Sequence, residues 1–230
     1  MDLKNFISKE FSNWGKFEKI LLPAVIIFIT AVAIYAKDTP AAIFSAICGV
    51  CSTILAGKGK ISCYFFGIIA NFCYAYISYC NQFWGNLALN LLYYLPMQFL
   101  GIKNWKNHMK NDTREIYKTK LNKKEIFTYS SGIITLTVIL FFVLRYYNDS
   151  NPVFDSTMTI LSIFAFILTV KRCIEQWYLW TAVNILGIIM WSRAYLNSSH
   201  CLATILMWST YFVLGLYFLK TWREELRVKH

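Results

Sequence analysis

Asn86, Asn90, Tyr94 and Gln98 recur at every fourth position of an apolar stretch, which places them on one face of a helix. Farther along, Trp177, Trp180, Thr181, Asn184, Gly187 and Trp191 share a face, and Tyr64, Gly67, Asn71, Tyr74 and Ser78 form a related stripe upstream. Carboxamides donate and accept hydrogen bonds, while indole and phenol faces stack on flat or cationic rings. Such a set suits a neutral or weakly cationic molecule with a stacking ring and several hydroxyls or amides. It has no means of making or breaking bonds. His108, His200 and His230 lie in loops or the tail, and the sequence has no H-E-x-x-H, no paired intramembrane carboxylates and no phosphate-cradling Gly loop. No catalytic residue, metal ligand or cofactor is expected.

The elements that must carry these residues are apolar. Eight hydrophobic segments run over 19–36, 40–56, 62–80, 83–101, 126–147, 154–170, 177–196 and 202–219. Each is near the ~20 residues that span a hydrocarbon core as a helix. All Lys and Arg residues except Lys37, Arg145 and Arg193 fall in the N-terminal stretch, alternate connections or the C-terminal tail. Translocating a basic loop is disfavoured, so the loaded side is the cytoplasm and both termini lie there. The net charge of +11 is thereby assigned to lipid headgroups flanking the spans, and nucleic-acid binding is not expected. The stretch 1–18 places Leu3, Ile7, Phe11 and Trp14 at helical spacing, as in an amphipathic segment lying at the membrane interface. Ala31-Val32-Ala33 resembles a signal-cleavage site only weakly, so 19–36 is read as a retained span.

An internal repeat organises the rest. At an offset of 113, Lys58 matches Lys171, Ile61 matches Ile174 and Asn71 matches Asn184. Tyr64 and Gly67 match Trp177 and Trp180. After a longer loop the offset becomes 117, and Tyr94 matches Tyr211, Lys103 matches Lys220 and Trp105 matches Trp222. Two three-span units, 40–101 and 154–219, joined by one linking span, 126–147, are parallel repeats. The predicted fold is an all-α integral membrane protein: one extra helix, 19–36, then a 3+1+3 core, with a cytoplasmic tail over 220–230. A substrate site near mid-membrane between the bundles is the expectation. Single amides in spans also serve as interhelical glue, at ~0.6–2 kcal/mol. Two amide-bearing stripes at matching depth point instead to a cavity lining.

Pro96 removes a backbone hydrogen bond within the fourth span and crowds the carbonyl of Leu92, so a kink is expected there. Of the acidic residues near the spans, Asp155 stands at the end of 154–170 and Glu175 lies in a connection, so no Asp or Glu is central, and no Lys or Arg is central either. Coupled carriers commonly use an intramembrane carboxylate, so energised coupling is not expected. A phosphate would find no buried counter-charge. Cys48 and Cys51 form a C-x-x-C inside an apolar helix, where they read as small packing residues, while Cys80 and Cys201 lie near the outer face and could pair.

The run Trp84-Gly85-Asn86 through Asn90, then Tyr94-Leu95-Pro96-Met97-Gln98-Phe99-Leu100-Gly101 and Trp105, resembles the PnuC vitamin transporters. So does Glu175-Gln176-Trp177-Tyr178-Leu179-Trp180-Thr181-Ala182-Val183-Asn184. The resemblance covers about residues 40–225. It implies a SWEET-like 3+1+3 fold, a homotrimer in the inner (cytoplasmic) membrane, and facilitated diffusion of nicotinamide riboside followed by trapping through phosphorylation. It also implies that Asn90, Gln98, Trp177, Trp180 and Asn184 contact substrate, with Asn86, Tyr94, Asn71, Thr181 and Tyr211 nearby. Relatives carrying thiamine, riboflavin or deoxynucleosides keep those substrates open, and a non-transporting receptor is the remaining alternative.

Overall fold

The computed structural model describes residues 10, 14–37, 39–80, 87–110, 113, 115–149, 151–197 and 202–228. Among them are eight α-helices: α1 Lys16–Tyr35, α2 Pro40–Gly57, α3 Ser62–Cys80, α4 Leu95–Lys106, α5 Lys123–Tyr146, α6 Pro152–Val170, α7 Gln176–Asn197 and α8 Leu202–Arg227. A π-helical turn, Leu89–Tyr94, runs directly into α4. Length and composition make α2, α3, α5 and α6 fit to cross a membrane, and Lys19–Tyr35 is a shorter apolar helix. The protein is an all-helical membrane protein. Asn86, the Leu3, Ile7 and Phe11 positions, His200 and Cys201 lie outside the described residues.

The helix starts follow from local chemistry. Thr39 caps α2, its hydroxyl accepting from Ala42 N–H at 3.3 Å, and Pro40 fills the first turn where no N–H is needed. Asn122 and Glu125 form a reciprocal capping box at α5, both bonds at 2.9 Å. Pro152 opens α6 in the same way as Pro40 opens α2.

Before Pro96 the backbone departs from the α-helix. Leu95 N–H reaches Asn90 O, one residue farther back than in an α-helix, so the wider π turn precedes the proline. It also changes the stripe. Asn90 and Gln98 are buried while Tyr94 is half-buried, because the extra residue rotates the positions between them.

The chain divides into two compact units, Met1–Tyr117 and Lys118–His230. In the first, α3 packs against α2, the π turn and α4, and α1 packs against α2. In the second, α7 packs against both α6 and α8, and α5 packs against α6. The middle helices, α3 and α7, are therefore the hubs of their units, and they carry two of the three polar stripes, the third lying on the π turn and α4.

The turns entering the hubs share one backbone design. In unit 1, Gly59 has φ 68°, and Lys60 N–H returns to Leu55 O at 2.9 Å. In unit 2, Arg172 has φ 63°, and Cys173 N–H returns to Leu168 O at 2.9 Å. Both donor–acceptor pairs are related by the offset of 113. Only glycine takes the left-handed region without penalty, so Arg172 carries a cost of roughly 1 kcal/mol that Gly59 avoids.

The basic stretch between the units differs from a headgroup-facing loop. Lys60 is fully buried, donates to Thr113 O at 2.7 Å and stands 3.9 Å from Glu115. Ile116 N–H bonds Gly59 O at 3.0 Å. In unit 2, Lys118 pairs with Glu225 and lies over the Trp222 ring at 4.8 Å, while Thr119 N–H bonds Arg172 O at 2.9 Å. Each turn thus gains a strap of following or preceding chain. At the N-terminal end, Trp14 donates to Glu10 O at 3.1 Å, and the Glu10 carboxylate accepts from Ser62 at the start of α3. Both residues are buried, so this part of the segment rests on protein.

Candidate functional site

In unit 1 the hub α3 aligns antiparallel to the π turn and α4. A Cβ at Gly67 would stand 2.5 Å from Gln98 Nε2, 2.8 Å from Oε1 and 2.9 Å from Cδ, so the carboxamide lies against the α3 backbone. One turn closer to the start of α3, Tyr64 covers Gly101 and meets Trp105 edge-on at 4.9 Å. One turn the other way from Gly67 is Asn71, whose buried Nδ2 has no hydrogen-bond partner among the described residues. Asn90 and Gln98 are 5% and 4% exposed. Tyr74 departs from the stripe: it is exposed, and Ala75 takes the buried position.

Unit 2 repeats the plan with different side chains. Trp177 packs against Phe218 at 5.4 Å and meets Trp222 at 5.9 Å, edge-on like Tyr64 with Trp105. It is buried, and its Nε1 has no hydrogen-bond partner among the described residues. Trp180 is half-buried, and its indole N–H donates to Thr169 Oγ1 at 3.3 Å, which fixes the ring against α6. Thr169 in turn donates to Ala165 O at 2.9 Å. Thr181 spends its hydroxyl proton on Trp177 O at 2.6 Å, leaving the oxygen as an acceptor. Asn184 is buried, with Nδ2 3.8 Å from where a Cβ at Gly215 would stand. Tyr211 is half-buried on α8.

The sequence alone did not mark Thr169 or Gly215. Both are recoverable from the repeat. Position 180 matches Gly67 and position 169 matches Ala56, so the indole and its hydroxyl anchor are present or absent together. Gly215 matches Gln98 at the offset of 117, so a large residue opposite glycine recurs with the partners exchanged.

At the start of α7, burial pushes the Glu175 carboxyl above its ordinary range, against hydrogen bonds from its own backbone and from Leu121 N–H, 3.2 Å from each oxygen. No group of three or more His, Cys, Asp or Glu residues able to hold a metal occurs among the described residues. A 310 Å³ open depression along α8, lined by Leu216, Leu219, Lys220, Arg223, Glu224 and Arg227, contains none of the stripe residues.

Residues 39–224 match the family described as Nicotinamide mononucleotide transporter. The Nicotinamide riboside transporter PnuC of Haemophilus influenzae is 34% identical over 229 residues, spanning 97% of this chain and 97% of that protein. The chain belongs to the PnuC family. The PnuC of Neisseria mucosa, also named a nicotinamide riboside transporter, is 32% identical over 219 residues, 93% of this chain and 83% of the relative. A crystal structure of the Vitamin B3 transporter PnuC superposes with a TM-score of 0.83 at 30% identity, covering 97% of each chain. The PnuC relatives are transporters, so the family is one of carriers and not of enzymes.

Proposed function

We propose that this protein imports nicotinamide riboside across the cytoplasmic membrane by facilitated diffusion, with a cytoplasmic kinase trapping the product. The observation that carries the reading is a set of carboxamides, Asn90, Gln98 and Asn184 buried and Asn71 half-buried, on spans whose central stretches hold no charged residue. A buried amide donor without a partner, as at Asn71 Nδ2, costs ~1–3 kcal/mol, a cost that a hydroxyl-rich ligand would offset. The unmet donors of Asn71 and Trp177 support this. Trp180, braced by Thr169, supplies an indole for the pyridinium ring. The relatives' names supply the substrate.

The same proposal includes eight spans in a SWEET-like 3+1+3 arrangement, cytoplasmic termini and a homotrimer. The matched turns at Gly59 and Arg172, and the matched edge-on pairs Tyr64–Trp105 and Trp177–Trp222, support the repeat. α5 buries none of its residues and exposes Phe127, Ile134 and Phe142, a surface fit for lipid or a neighbouring copy.

The family description names the mononucleotide, the curated relatives the riboside. The absence of a central Lys or Arg favours the riboside, because a phosphate would cross mid-membrane unpaired. Calorimetry on the purified protein with nicotinamide riboside, thiamine, riboflavin and a deoxynucleoside tests the substrate. Binding of the riboside alone at micromolar concentration is expected; thiamine binding without a riboside response would replace it. No binding of any of these would favour a receptor for something else.

A further inference from the structure

We propose that Gly67 is a positioning residue for the Gln98 carboxamide, holding that amide where it meets the ligand. The inference rests on the reading that Gln98 contacts substrate. All three atoms nearest a Cβ at position 67 belong to the Gln98 carboxamide, at 2.5–2.9 Å. Real Cβ atoms do not approach so closely, so any residue larger than glycine displaces the amide. The displaced group is the far end of a flexible side chain, not backbone or a packed ring. The helices can therefore keep their places while the amide changes its aim. At Gly101 the obstacle is the Tyr64 ring, already packed edge-on against Trp105, and substitution there would disturb the packing itself.

The second unit reverses the sizes. Trp180 stands where unit 1 has Gly67, and Gly215 stands where it has Gln98. A Cβ at Gly215 would meet Thr181 Oγ1 at 3.3 Å, asking it to give by a few tenths of an ångström, and Asn184 Nδ2 at an ordinary 3.8 Å. At the same level of the repeat, one unit offers a carboxamide laid on bare backbone and the other an indole. Gly67 is thus a determinant of the hydrogen-bonding half of recognition.

The test is calorimetric titration of nicotinamide riboside into the purified full chain, with melting temperature measured in parallel. Gly67→Ala should weaken binding about tenfold, as loss of a buried hydrogen bond would, with little change in melting. Gly67→Ala combined with Gln98→Asn, one methylene shorter, should recover part of the loss. In a Gln98→Ala background, where no amide remains to displace, Gly67→Ala should fold and change affinity by less than about twofold. Unchanged affinity in Gly67→Ala overturns the proposal. So does a full further loss, or failure to fold, in the Gln98→Ala background. Should Gly67→Ala alone fail to fold, that double variant decides. If Gln98→Ala binds as well as the parent, the substrate-contact reading of Gln98 falls first, and the positioning role with it.

Discussion

A carboxamide buried in an apolar helix either bonds another helix or waits for a ligand, and the two roles separate under mutation. Asn184→Ala should weaken riboside binding by ~1–3 kcal/mol and leave melting nearly unchanged. A fall in melting at constant affinity would make Asn184 interhelical glue. Trp180 divides differently, because its N–H is committed to Thr169 while its face is available. Trp180→Phe keeps an aromatic face, so affinity should hold within a few-fold, while stability drops by ~0.5–1.5 kcal/mol for the lost hydrogen bond. Trp180→Leu should lose affinity as well. Parallel calorimetry and thermal melts read both effects. Trp177 serves both roles, packed against Phe218 and Trp222 with an unmet Nε1 donor, so Trp177→Ala should lower melting by more than any of these and weaken binding as well.

The helices were legible because apolar length and capping residues are local. The π turn was legible only as a kink, since Pro96 announces a missing hydrogen bond but not how the preceding backbone rearranges. The straps were not legible. Lys60 and Lys118 read as headgroup-facing cations because their partners lie far along the chain, Glu225 being 107 residues from Lys118. Two predictions follow from this layer. Glu115→Gln removes one anionic neighbour of the buried Lys60 ammonium and should lower the melting temperature. Glu175 gives a pH dependence. Its folded-state pKa is raised, chiefly by burial, so its contribution to stability is greatest below the ordinary value of 4.5 and is lost as pH rises through the raised one. Glu175→Gln keeps an oxygen for Leu121 N–H and abolishes the titration. The variant should melt higher than the parent at pH 8, with the difference shrinking towards pH 4. A difference constant across that range would contradict the burial argument.

At the scale of the molecule, recognition and energetics have the same origin. The spans hold amides and aromatics but no central charge, so they offer hydrogen bonds and stacking to a riboside and no compensation to a phosphate. Under the proposed function, that asymmetry would make phosphorylation inside the cell sufficient to draw substrate inward, because the product would not return. No carboxylate is central in the spans, Asp155 standing in the first turn of α6, and the proposed carrier would therefore run without a proton or sodium gradient. The repeat accounts for how one fold supplies both kinds of group: matched turns hold two hub helices, while the side chains at matched levels are allowed to differ, as Gly67 with Gln98 and Trp180 with Gly215 do. The most direct measurement is counterflow in proteoliposomes loaded with unlabelled nicotinamide riboside and free of phosphatase, with labelled riboside or labelled mononucleotide outside. The account predicts rapid exchange of the riboside, unaffected by imposed proton or sodium gradients, and no exchange of the mononucleotide. Comparable exchange of the mononucleotide, or riboside accumulation that follows either ion gradient, would contradict it.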